Sequence, residues 1–249
     1  MSQDKSFEIS WDGVLPVTPQ EVWDAITART GGWLWEIDYE PRAGGVERGL
    51  NPGGGQVIVW DPPRRLVTRS TSGTFNELDH HLERCAVGTY LRYSQRTEAP
   101  DNFEVEVDAC RNHTDFYFHT LGEYLRHFPG RDATYVHVSA PDRAVGIDFA
   151  LVLEALGLGE AMLGDEVQLR PRGIAPIDGV VDYVAPAFVG VRTADALYRL
   201  FGRDRWGWPV GIAVHSFSPA AKADALEQFW SGWLAGLANP EGSGPSQMS

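Results

Sequence analysis

The sequence predicts an α+β fold in which a curved antiparallel β-sheet wraps around a long C-terminal helix, followed along the chain by a second, shortened unit of the same kind. Three observations predict it. One long amphipathic stretch runs from Asp101 to Gly130, and a series of short alternating runs broken by Gly, Pro and polar turns precedes it. After Gly130 the same order of patterns restarts.

In chain order, Phe7, Ile9 and Trp11 alternate with Glu8, Ser10 and Asp12, the period of a strand with one buried face. Thr18-Pro19-Gln20-Glu21 then supplies a capping residue, a proline at the first helical position and an acid in the first turn. The short helix carries Val22, Trp23 and Ile26 and ends near Gly31-Gly32. Trp33 to Tyr39 reads as extended, and Pro41 to Gly45 and Gly53-Gly54-Gly55 as turns, because glycine tolerates positive φ. These glycines are not a phosphate loop: no Gly-Lys-Ser/Thr follows, and the next element is a strand. Gln56 to Trp60, Leu66 to Thr71, Phe75 to Glu83 and Thr89 to Thr97 form an antiparallel meander, with Asp61-Pro62-Pro63-Arg64 turning the first into the second. Arg64 and Arg65 read as exposed loop cations.

In the long stretch, Phe103, Val107, Cys110, Thr114, Tyr117, Leu121, Leu125 and Phe128 share one helical face. Asp101 or Asn102 can cap its start, Glu104 and Glu106 suit the N-terminal dipole, and Arg126 and His127 suit the other end, where Pro129-Gly130 stop it. At ~1.5 Å per residue the helix is roughly 40 Å long and needs a large partner.

The first domain is expected over 1–130 and the second over 131–238, with 239–249 a disordered tail too polar and Gly/Pro-rich to order itself. In the second, Ala133 to Ser139 is strand-like, and Pro141 and Asp142 precede a helical run from Val145 to Leu158. Gly179 to Arg192 echoes Gly55 to Arg69, each with a proline seven residues after its glycine. Trp208 to Phe217 reads as a strand. Ala220 to Leu237 reads as a closing helix, with Leu226, Phe229, Trp230, Trp233, Leu234 and Leu237 on its apolar side.

Composition excludes several function classes. Apolar residues make up 43% of 249 and charged residues only 22%, enough for a buried core, and nine Trp with eleven Phe suit thick cores or an aromatic-walled pocket. The formal charge of -13 argues against nucleic acid and anionic membrane partners. No run reaches the roughly 18 apolar residues of a span, the N-terminus lacks a secretory core, and Cys85 and Cys110 read as reduced thiols of a cytoplasmic protein.

The order strand, short helix, meander, long helix, with WEIDYEPRAGG followed by GQVIVWDPPRRLVTRS, resembles the START-like (SRPBCC) superfamily, the helix-grip fold of birch-pollen allergens. Within it, the Gly-x-Val-x-x-x-Asp-Pro-Pro-x-Arg-Leu pattern at Gly55 to Leu66 resembles the branch named after an activator of a heat-shock-protein ATPase, which also holds polyketide cyclase-like proteins. The resemblance covers about half of the chain. It implies a six- or seven-stranded sheet gripping the helix, often over an apolar cavity, and carries no catalytic residue.

No metal or cofactor is expected. His80 and His81 point to opposite faces of one strand, His113 and His119 are not one turn apart, and there is no Gly-x-Ser-x-Gly, His-Glu-x-x-His or Rossmann pattern. The candidate ligand-binding residues are those expected between sheet and helix: His80 beside Leu82, Tyr93, and His113, Tyr117 and Leu121 on the helix, with Trp35 and Trp60 as an aromatic wall. A His–Tyr pair there could position a carbonyl or move a proton; the plainer reading is a hydrogen-bonded polar core. The leading expectation is a binding protein for a small apolar or aromatic molecule. Alternatives are a polyketide cyclase or aromatase using His80, His113 or Tyr117, and an interaction module that docks a chaperone, disfavoured by the acidic chain.

Overall fold

The structure is a computed structural model that describes residues 6–98, 102–141 and 147–238. The chain divides into two compact units, 1–133 and 134–249. The capping role of Asp101, the helix start at Val145 and the tail 239–249 lie outside the described residues.

The first unit runs β1 (Ser6–Leu15), α1 (Pro19–Thr27), β2 (Asp38–Tyr39), β3 (Val46–Arg48), β4 (Gly55–Asp61), β5 (Arg65–Ser70), β6 (Asn76–Cys85), β7 (Gly88–Glu98) and α2 (Phe103–His127). Its seven strands are antiparallel in the order β1-β7-β6-β5-β4-β3-β2, so the first strand closes on the last and the meander steps away from it. The capping box of α1 is formed: Glu21 N donates to Thr18 Oγ1 at 3.3 Å, and Thr18 N donates to the Glu21 carboxylate at 2.8 Å.

Two local expectations are corrected. Trp33 to Tyr39 is not a continuous extended run: a 3-10 turn at Thr30–Gly32 leads into a loop, and only Asp38–Tyr39 pairs as a strand. The reason is burial of Trp33, whose Nε1 donates to Ala25 O at 3.0 Å, while a Cβ on Gly32 would meet the Tyr124 ring at 2.6 Å. Asn102 stands at the start of α2 with φ 50 and makes no side-chain cap bond, because the extended backbone from which a capping side chain reaches the first-turn amides is absent.

The expected face of α2 is unevenly buried. Thr114, Leu121, Leu125 and Phe128 are buried, together with Phe116, Phe118 and Tyr124, whereas Phe103, Val107, Cys110 and Tyr117 are only half-buried. The C-terminal half is closed in, and the N-terminal half is looser.

The second unit runs β8 (Thr134–Ser139), α3 (Phe149–Leu156), β9 (Glu166–Leu169), β10 (Ile177–Ala185), β11 (Phe188–Arg192), β12 (Ala196–Phe201), β13 (Gly211–Ser216) and α4 (Ala223–Ala238). Its strand order, β8-β13-β12-β11-β10-β9, repeats the first topology with one strand fewer. The echo noted in sequence falls on equivalent strands: Gly55 opens β4 and Gly179 lies in β10, and each strand breaks register at the same offset, between Val57 and Val59 and between Val181 and Tyr183. Strand β12 carries no alternating signal because all six of its residues are buried. The helix expected from Val145 is described only as α3, which Asp148 caps through a 2.8 Å bond from Leu151 N and which stops at Gly157, φ 80. Among the described residues, no helix is long and apolar enough to cross a membrane.

Candidate functional site

Strand alternation divides β6 into two chemistries. Glu77, Asp79 and His81 face outward into an ion-paired mesh, Glu77 with Arg69 and Arg96, Asp79 with Arg65 at 2.8 Å, and His81 beside Arg92. Arg65 is therefore a strand residue of this mesh rather than a loop cation, while Arg64 pairs with Asp61 at 3.0 Å. Asn76, Leu78, His80 and Leu82 face inward, with Leu91, Tyr93, Gln95 and Thr97 of β7 opposite or diagonal to them. Phe118 of α2 is the hub of this inner face. It stacks on Trp11 at 4.5 Å, tilts against Tyr93 at 4.7 Å, and lies 5.9 Å from Trp33 and 6.3 Å from His80.

The rings of His80 and Tyr93 are 4.9 Å apart. His80 is 7% exposed and its Nδ1 has no hydrogen-bond partner; Thr68 Oγ1, on the neighbouring strand and opposite Leu78, is likewise buried without one. Burial pushes the imidazole down to about 4, against the opposing pull of Asp79 and of a backbone hydrogen bond at Leu66, so it is neutral at pH 7. Two buried polar atoms without partners on neighbouring strands of one face are unusual, because buried polar groups normally find partners.

From Tyr93 a chain of side-chain hydrogen bonds crosses the sheet. Tyr93 Oη donates to Gln95 Oε1 at 3.3 Å, Gln95 Nε2 to Asn76 Oδ1 at 2.8 Å, Asn76 Nδ2 to Asn51 Oδ1 at 3.0 Å, and Asn51 Nδ2 to Glu47 Oε2 at 2.6 Å. Glu47 is fully buried, and its other oxygen accepts from Leu50 N at 2.7 Å and Asn51 N at 3.4 Å. Among the described residues no cation pairs with it. A Cβ on Gly55 would meet Glu47 Oε2 at 2.0 Å, so this glycine serves a close approach to the carboxylate as well as the adjoining turn. Burial, then the Glu47 carboxylate, raises Tyr39 well above its ordinary range; burial, then Cys110 and Tyr39, does the same for Tyr93. The Cys110 thiol is pushed up to about 11 by burial and by Glu106.

The remaining sequence-predicted residues fall into other groups. Trp35 donates from Nε1 to Gly49 O at 2.8 Å and sets its ring edge-on to Tyr117 at 5.8 Å. His113 bonds Ala109 O through Nδ1 at 2.8 Å, with its ring 5.8 Å from Tyr117. Trp60 packs on Trp23 at 5.0 Å and lines a surface groove of the first unit, about 910 Å³, with Tyr39 and Arg48. Trp35 and Trp60 thus each have their own aromatic partners. Leu82 and Leu121 are buried. Sequence reasoning missed Thr68, Phe118 and the Glu47, Asn51, Asn76 and Gln95 chain; the available signals were Gly55 for Glu47 and Asn51, and the spacing of Phe118 from Thr114 and Leu121.

No known protein family and no curated protein matches the sequence. Solved structures similar to it include protein MLL2253 from Mesorhizobium loti, 17% identical, covering 49% of this chain and 98% of that one with a TM-score of 0.43. CalU16 from Micromonospora echinospora is 24% identical over 48% of this chain and 75% of its own, TM-score 0.39. DynU16, a protein of the dynemicin biosynthetic locus, is 16% identical over 93% of this chain and 96% of its own, TM-score 0.41. Likenesses of this size bear on neither substrate nor reaction.

Proposed function

We propose that the first unit is a START-like, helix-grip binding domain that takes a small aromatic or apolar molecule between α2 and the inner face of its sheet. The observation that carries this reading is the pair of buried, unpartnered polar atoms on the inner face, His80 Nδ1, whose ring lies against Tyr93 and Phe118, and Thr68 Oγ1 on the next strand. Leaving a buried polar group unpaired costs about 1–3 kcal/mol, a cost a ligand's polar group offsets when it arrives. The loose N-terminal half of α2 is the natural way in. An apolar surround with few convergent polar groups is what small-molecule pockets share. Proton transfer is less well supported, since an imidazole held near 4 is a weak base at pH 7. Chaperone docking has no such anchor, and the outer sheet face already pairs its own charges.

Native mass spectrometry of the protein purified from its host is expected to show a co-purifying small molecule that His80→Leu no longer retains. An empty protein that also fails to bind fluorescent apolar probes would overturn the reading.

A further inference from the structure

The chain from Glu47 to Tyr93 has a direction, and that direction constrains what the proposed pocket can recognise. Both oxygens of Glu47 are acceptors here: Leu50 N and Asn51 N donate to one, and Asn51 Nδ2 donates to the other at 2.6 Å, so Asn51 stands with its amide nitrogen toward the carboxyl group and its carbonyl oxygen away. The next amides inherit the same sense: Asn76 donates to Asn51, and Gln95 donates to Asn76. The last acceptor, Gln95 Oε1, accepts the hydrogen bond that Tyr93 Oη donates. The phenol's one donor is thus spent inside the protein, and what Tyr93 offers to anything arriving beside it is a lone pair.

We infer that the first unit recognises a hydrogen-bond donor, an aromatic ligand carrying a phenolic or alcoholic hydroxyl, with Glu47 setting the acceptor state of Tyr93 through Asn51, Asn76 and Gln95. This rests on the binding role proposed above. Tyr93 is the contacting residue, and Glu47 acts through the chain. His80 Nδ1 and Thr68 Oγ1 are the further polar atoms left for the same ligand. A site built around one hydrogen-bond partner discriminates strongly against an analogue that lacks it, because the buried group is then left unpaired.

The test is calorimetric titration of the full chain with three probes of one skeleton: naphthol, its methyl ether, and acetylnaphthalene. Naphthol is expected to bind about tenfold or more tighter than either of the others. Glu47→Gln places a group at the end of the chain that donates as well as accepts, so the enforced direction disappears and the naphthol advantage falls to about twofold or less. Should that variant fail to fold, Tyr93→Phe decides the matter by removing the acceptor, with the same loss of preference. A ketone or ether that binds wild type as tightly as naphthol overturns the inference while leaving the binding role standing. So does a folded Glu47→Gln or Tyr93→Phe that keeps the full preference. Failure of all three probes to bind overturns the binding role itself, and the inference with it.

Discussion

The two units share a topology and differ in what lies between sheet and helix. In the second unit, Val136, Val138, Leu200, Ile212 and Val214 form one cluster with Trp230, Trp233 and Leu234 of α4. Trp230 meets Tyr198, Phe229 and Trp233 edge-on at 5.9, 5.1 and 5.7 Å. That interior is filled by side chains in contact, the ordinary close packing of a core. In the first unit the corresponding space holds Asn76, His80, Tyr93, Gln95 and Thr68 along with its rings, and its helix is only half-buried over Phe103, Val107 and Cys110. One scaffold therefore supports an apolar core in one unit and, in the other, an interior that keeps polar groups.

The largest effect is expected at Trp230, buried in the second core. Trp230→Ala should lower unfolding free energy by about 3–5 kcal/mol in urea titrations, the cost of a cavity in a packed core. A loss much under 1 kcal/mol would mean the second interior is not close-packed.

Acid comes next. His80 titrates at about 4 in the folded chain. Its ordinary value is about 6.5, so between these values the unfolded state binds more protons, and stability falls as pH falls from about 6.5 toward 4. The His80 contribution is at most about 3 kcal/mol. His137 in the second unit is lowered to about 4 as well, by burial and then by Arg203. His80→Leu should remove the first contribution and leave the second, visible as a shallower dependence of stability on pH. At pH 7 that variant should be as stable as wild type or more so.

Smaller effects separate the glycines. Gly55→Ala drives a methyl into the Glu47 carboxylate and should cost about 2 kcal/mol by pushing it off its donors. Gly232→Ala, inside α4 with nothing within 4 Å of the added carbon, should stabilise by about 0.5–1 kcal/mol. Both are read from the same denaturation series.

Legibility in sequence followed the same divide. Long helices and alternating strands were readable because one face of each meets a core, as in Leu78, His80 and Leu82 of β6 and Trp230, Trp233 and Leu234 of α4. Strand β12 was not, since burial of every residue erases the period. Of the proposed site, His80 and Tyr93 could be placed from strand phase alone. Glu47 and Asn51 could not: they lie between glycine turns, where polar residues ordinarily face water, and it is the fold that carries them under the sheet. Phe118 stands four residues after Thr114 and three before Leu121, so the spacing admits it to the helix face, and its hub position emerges once Trp11 and Tyr93 are brought against it.

The most direct test of the contrast between the two interiors is electron density from crystals of the full chain soaked in naphthol. One ordered molecule is expected between α2 and the β6–β7 face, within hydrogen-bond distance of Tyr93 Oη, His80 Nδ1 or Thr68 Oγ1, and none among Trp230, Trp233 and Leu234. Naphthol lodged only in the second interior, or a first interior closed by side chains with His80 and Thr68 fully paired, would contradict it.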